Sequence, residues 1–130
     1  MSRYAAFVGH ALVGWAICGT TIAVARQVLS MPNTLLVHAI VAPLVFALLS
    51  MHFFRRYPAA SPLGTSLGFV GIVVGLDAFV VAPLVERSYT MFTSPLGTWI
   101  PFVSIWLSSF LVGHACRQRQ ARHRPQTRRA

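Results

Sequence analysis

The sequence predicts an all-α fold, namely an integral membrane bundle of four antiparallel helices with both termini in the cytoplasm. Three observations predict it. Of the 130 residues, 55% are hydrophobic and only 10% are charged, whereas a soluble domain of this size carries about a quarter charged residues. Four apolar stretches of about 20 residues follow one another along the chain. The arginines gather at the ends of these stretches that would lie on one side of a membrane.

Each apolar stretch has the length of one transmembrane helix. A helix rises about 1.5 Å per residue, so about 20 residues cross about 30 Å of hydrocarbon. Lipid offers the backbone no hydrogen-bond partners, which favours helices over open strands. The predicted helices cover residues 4–25, 34–53, 65–85 and 97–115. They make residues 1–116 one four-helix transmembrane domain, and residues 117–130 follow it as an arginine-rich cytoplasmic tail.

The connections between the predicted helices are short and contain turn-forming residues. Short connections make sequential helices antiparallel neighbours. Pro62 and Pro95 lie just before the third and fourth stretches, where the fixed φ of proline suits the first turn of a helix. Ser61 and Ser94 precede these prolines and are therefore the predicted N-caps.

The orientation follows from the basic residues, which are all arginine. Arg26 and Arg87 fall on one side of the predicted bundle. The other nine fall on the opposite side: Arg3, Arg55, Arg56, Arg117, Arg119, Arg122, Arg124, Arg128 and Arg129. Because cytoplasmic loops of membrane proteins are enriched in arginine, this bias predicts a protein of the cell (inner) membrane with both termini inside.

The tail has almost no apolar residues after Cys116, so we expect it to be disordered or to lie along the membrane surface. Anionic headgroups attract such a segment by about 1 kcal/mol per arginine near the surface. Lipid headgroups are therefore the expected partner of Arg117–Arg129. No aromatic residues interleave these arginines, and we expect no binding of nucleic acid.

Asp77 is the one acidic residue inside a predicted helix, about 13 Å from that helix's outer end. A carboxylate at this depth is costly and marks either a functional site or a polar contact between helices. Its nearest candidate partner is His38, on the outer half of the second helix. The two residues are candidates for a proton or cation site, and the alternative is an Asp77 that locks helices together.

The histidines raise a separate hypothesis. His38 and His52 are fourteen residues apart, an interval that resembles the histidine spacing in the helices of b-type cytochromes. His10 and His114 lie at the same side of the predicted bundle as His52, whereas His38 has no histidine at its own depth. One haem b is therefore the most that this pattern allows, with His52 and either His10 or His114 as axial ligands.

Small residues in the third stretch recur at spacings of four and three. Aligned small residues let helix backbones approach closely in lipid. The pattern predicts a packing face for a helix of the same chain, and the alternative is a homodimer interface. The residues of this seam are Gly64, Gly68, Gly71, Gly75, Ala78 and Ala82.

The sequence contains no motif of enzymatic chemistry: no phosphate-cradling glycine loop, no HExxH, no GxSxG and no dinucleotide fingerprint. Cys18 and Cys116 lack metal-site spacing, so we expect neither catalytic residues nor a metal. We expect a binding, accessory or structural membrane protein without a cofactor. The alternatives are a small proton- or cation-coupled transporter or channel using Asp77, and a single-haem electron carrier.

Overall fold

The computed structural model describes residues 1–124, in which four long helices occur and no strand does. The all-helical prediction is confirmed. Each helix is long and apolar enough to cross a membrane by length and composition. The four spans are α1 at Arg3–Ala25, α2 at Met31–Arg56, a third span at Pro62–Glu86 and a fourth at Pro95–His123.

The third span changes its winding halfway. Its first part, α3, is an α-helix over Pro62–Leu76, and its second part is π-helical over Asp77–Glu86. Pro83 lies in this second part, where it has no N–H to donate and its ring would clash with the carbonyl four residues earlier in an α-helix. A wider winding relieves that clash. The segment ends at Arg87, whose φ of 51° is left-handed.

The fourth span begins with a short π-helical turn over Pro95–Trp99 and continues as α4 over Ile100–His123. The predicted N-caps are confirmed. The Ser61 hydroxyl accepts a hydrogen bond from the Gly64 amide at 3.2 Å, and the Ser94 hydroxyl accepts one from the Gly97 amide at 3.0 Å. Each serine thus satisfies one of the free amides that open its helix.

Helix α4 continues past its predicted end at residue 115 and takes up the first part of the predicted tail. Its last residue is His123. The stretch between Arg117 and Arg122 contains only Gln, Arg and Ala, which are good helix formers, so polarity alone does not end the helix. Residues 125–130, with the tail arginines Arg128 and Arg129, lie outside the described residues.

The helices pack so that α1 contacts α2 and α3, and α4 contacts the same two helices. Phenylalanines from three helices pack together in the half of the bundle nearer Arg3, and we call them the aromatic cluster: Phe7, Phe46, Phe53 and Phe69. The Phe7 and Phe69 rings are stacked with centroids 5.0 Å apart, and the Phe53 and Phe69 rings meet edge to face at 6.0 Å. Such ring pairs add to the packing free energy.

Candidate functional site

Asp77 has a partner on another helix. The indole Nε1 of Trp15 donates a hydrogen bond to Asp77 Oδ1 at 3.0 Å. Trp15 lies near the middle of α1 and Asp77 opens the π-helical half of the third span. The bond therefore joins α1 to the third span near the middle of both.

Asp77 is only partly enclosed by the protein. Its side chain is half-buried, and the only fully buried residue of the segment that it begins is Ala82. Trp15 is the only hydrogen-bond partner of the carboxylate within residues 1–124. One carboxylate oxygen is thus bound by an indole, while the other is left for a proton, a cation or a water molecule.

His38, the predicted partner of Asp77, lies on the buried stripe of α2 and is 8% exposed. Within the described residues no hydrogen bond or ion pair joins it to Asp77, and its Nδ1 makes no hydrogen bond at all. The structure therefore brings Asp77 to Trp15 of α1 and does not bring it to His38.

His38 is one of several buried polar groups without a hydrogen bond in residues 1–124. On α2 the hydroxyls of Thr34 and Ser50 share this condition, and on α4 the Ser109 hydroxyl and the Trp106 indole do. An unpaired polar group in an apolar interior costs free energy. These atoms mark α2 and α4 as the helices with unused hydrogen-bonding capacity inside the bundle.

The candidate haem ligands come together in part. The rings of His10 and His52 are stacked with centroids 5.3 Å apart, and His10 Nδ1 lies 2.6 Å from the Ala6 carbonyl oxygen. Axial ligation of one iron requires a nitrogen of each ring to point at the metal, whereas stacking lays the ring faces together. His114 is exposed on α4, stacks on Phe110 and contacts Gln118. Haem binding by these histidines stays a prediction.

The small-residue seam of the third span faces two different environments. A Cβ added at Gly68 would collide with the Phe7 ring, so this glycine fits tightly against α1. A Cβ added at Gly71 or Gly75 would meet nothing within 4 Å. Only part of the predicted seam therefore packs inside the bundle, and the Gly71 and Gly75 positions are open.

Two contacts were not expected from the sequence. Trp15 lies near the middle of α1, and nothing in the sequence around it indicates which acceptor its indole N–H would find. Glu86 neighbours Arg87 in sequence, yet its Oε1 lies 3.8 Å from Arg26 Nη1 at the end of α1. Both contacts join α1 to the third span, which sequence adjacency does not indicate.

Among residues 1–124, no group of three or more His, Cys, Asp or Glu side chains is arranged to hold a metal ion. Comparison of the chain with protein-family models, with curated proteins and with solved structures found no match. The geometry around Asp77 is thus the main basis for assigning a function.

Proposed function

We propose that this chain is a multi-pass membrane protein whose four-helix bundle serves as a binding, accessory or structural component, with Asp77 as the residue that ties α1 to the third span. The observation that carries this proposal is the hydrogen bond from Trp15 Nε1 to Asp77 Oδ1 at 3.0 Å. A carboxylate in hydrocarbon is costly unless it is partnered. Here the partner comes from a neighbouring helix, which makes the residue useful for assembly.

The proposal includes an antiparallel order of the spans, and the contacts between helices support it. His10 of α1 stacks on His52 of α2, and Gly14 of α1 lies against Phe46 of α2. As the residue number increases along α1, the number of the contacted residue in α2 therefore decreases. This order of contacts supports an antiparallel arrangement of α1 and α2. The ion pair of Arg26 with Glu86 likewise sets the end of α1 beside the end of the third span.

The proposal also places both termini in the cytoplasm of a cell with this protein in its inner membrane. The end of the bundle that carries Arg3, Arg55 and Arg56 is the basic one. The opposite end has two arginines, Arg26 and Arg87, of which Arg26 is paired with Glu86. The positive-inside bias assigns the basic end to the cytoplasm. A tag placed after Ala130 should resist protease added outside intact cells, and its digestion would contradict this orientation.

The role of Asp77 is tested by a double-mutant cycle in detergent micelles. Trp15→Phe and Asp77→Ala each remove one side of the bond, and the cycle should give a coupling of about 0.6–1.7 kcal/mol in the free energy of unfolding. Asp77→Asn keeps an acceptor oxygen, so it should lose less stability than Asp77→Ala. Zero coupling between positions 15 and 77 would contradict the proposed tie.

A second candidate function is proton- or cation-coupled transport through Asp77. The π-helical winding that starts at this residue favours it, because π-helical turns are frequent at functional sites. In liposomes of the purified protein, the structural role predicts the same proton and potassium flux for wild type, Asp77→Asn and empty liposomes. A flux that Asp77→Asn abolishes, with stability retained, would favour transport over the structural role.

A further inference from the structure

A groove of about 250 Å³ lies at the end of the bundle that carries Arg3, where the first turns of α1 meet the connection between α2 and α3. Its apolar floor contains Phe7, Phe53 and Ala60. Its polar rim contains Arg3, Tyr4, Ser61, Gly64 and Thr65. The groove therefore offers an apolar surface next to hydrogen-bond donors.

The rim is positively charged and has no acidic neighbour. Arg3 lies with its guanidinium 5.2 Å from the centre of the Tyr4 ring. The start of α3 adds the positive end of a helix dipole, and no acidic residue occupies its first turn. The chain has only two acidic residues, of which Asp77 bonds to Trp15 and Glu86 pairs with Arg26. Within residues 1–124, no acidic side chain lies at this groove.

Thr65 gives an independent indication of a ligand. The residue is 6% exposed and lines the groove. Its hydroxyl makes no hydrogen bond within residues 1–124, and it is not one of the fully buried unpaired atoms, so it is accessible from the groove. An accessible hydroxyl in a mostly apolar groove is free to donate a hydrogen bond to a ligand. An acceptor oxygen held in the groove would satisfy it.

We propose that this groove binds a phospholipid of the surrounding leaflet by its phosphate. The phosphate is held by Arg3 and the Thr65 hydroxyl, close to the positive end of the α3 dipole, and the upper part of an acyl chain lies on Phe7 and Phe53. Free phosphate would leave the apolar floor unused, which favours the lipid. The inference rests on the proposed membrane-spanning bundle, and it assigns one defined lipid site apart from the diffuse attraction of the arginine-rich tail.

The test uses the full chain in detergent, with phosphatidylglycerol or phosphatidylcholine added and bound lipid counted by native mass spectrometry. Wild type should retain phosphatidylglycerol in preference to phosphatidylcholine. Arg3→Gln and Thr65→Val should each lower retention, by about fivefold for the arginine. Two matched controls should retain lipid as wild type does. Arg56→Gln removes an exposed arginine at the same end, and Thr34→Val removes a buried unpaired hydroxyl far from the groove.

Three outcomes would overturn the lipid site. Equal losses for Arg3→Gln and Arg56→Gln would mean that general charge attraction accounts for retention. If Thr65→Val retains phosphatidylglycerol as wild type does, the Thr65 hydroxyl does not bind the phosphate and the proposed site is wrong. Release of the lipid by low millimolar inorganic phosphate would assign the groove to free phosphate. Extraction of the protein from membranes by alkaline carbonate would instead contradict the membrane-spanning bundle itself, so the two failures are distinguishable.

Discussion

The two halves of the third span differ in burial and in the contacts that hold them to the rest of the bundle. The α-helical half, Pro62–Leu76, buries five residues, among them Phe69 at the centre of the aromatic cluster. The π-helical half, Asp77–Glu86, buries only Ala82 and exposes most of the Phe79 side chain. One half is held by ring packing, and the other is held to α1 by the Trp15–Asp77 hydrogen bond and the Arg26–Glu86 ion pair.

This difference shows how a single span can combine rigidity with polarity. In lipid, helices associate through close packing and interhelical hydrogen bonds rather than through hydrophobicity. The first half uses packing, because Gly68 lets the Phe7 ring approach the helix backbone. The second half uses polar bonds, which hold two helices together without filling the space between them. We therefore expect the first half to contribute most of the stability.

The largest effect is expected from truncating the aromatic cluster. Phe69→Ala removes a fully buried ring that contacts Phe7, Phe46 and Phe53, so it should lower the free energy of unfolding by about 3 kcal/mol. Phe79→Ala makes the same change in the exposed half and should cost well under about 1 kcal/mol. Unfolding in mixed micelles of increasing SDS fraction measures both. Equal losses at the two positions would end the distinction between the halves.

Adding one methyl group at Gly68 or at Gly71 compares a tightly packed position of the third span with an open one. Gly68→Ala forces a methyl group against the Phe7 ring and should destabilise the bundle by about 1–3 kcal/mol. Gly71→Ala adds the same methyl in open space and should be neutral or stabilising by up to about 1 kcal/mol, since alanine is the better helix former. The same SDS titration measures both variants. A Gly71→Ala variant that loses a dimer in native mass spectra would favour the homodimer interface instead.

Much of this fold could be predicted from the sequence. Span number and approximate bounds follow from hydropathy, and the caps at Ser61 and Ser94 follow from their position before Pro62 and Pro95. The end of α4 was less predictable, because polarity and helix propensity disagree after Cys116. The π-helical winding was not predicted. It depends on how the chain accommodates Pro83, and proline indicates a disturbed helix without indicating its form.

The sequence identifies Asp77 as the candidate site residue, but it does not identify the residue that Asp77 contacts. The cost of a carboxylate in lipid singles out Asp77 from composition alone. Its hydrogen-bond partner depends on which helices pack against each other and on how each helix is rotated about its axis. The local sequence determines neither. From the sequence His38 is the most plausible partner, although its estimated depth differs from that of Asp77, whereas the structure places the indole of Trp15 within bonding distance. Likewise the small-residue spacing identified a helix face without showing that its middle would remain open.

The smallest effect is expected at the end of the π-helical half, where Arg87 has a left-handed backbone with φ of 51°. A side chain with a Cβ is strained in this region, and glycine is the residue that usually ends a helix there. Arg87→Gly should therefore raise the free energy of unfolding by about 1 kcal/mol in the SDS titration. Arg26→Gly is the matched control, because Arg26 also ends a span but has a φ of −64° and faces Glu86. It should give no gain and lose up to about 1 kcal/mol with the ion pair. If Arg87→Gly is destabilised instead, the arginine side chain must stabilise this end of the span more than its backbone strains it. The π-helical half would then be held by a third polar contact, beside the Trp15–Asp77 hydrogen bond and the Arg26–Glu86 ion pair.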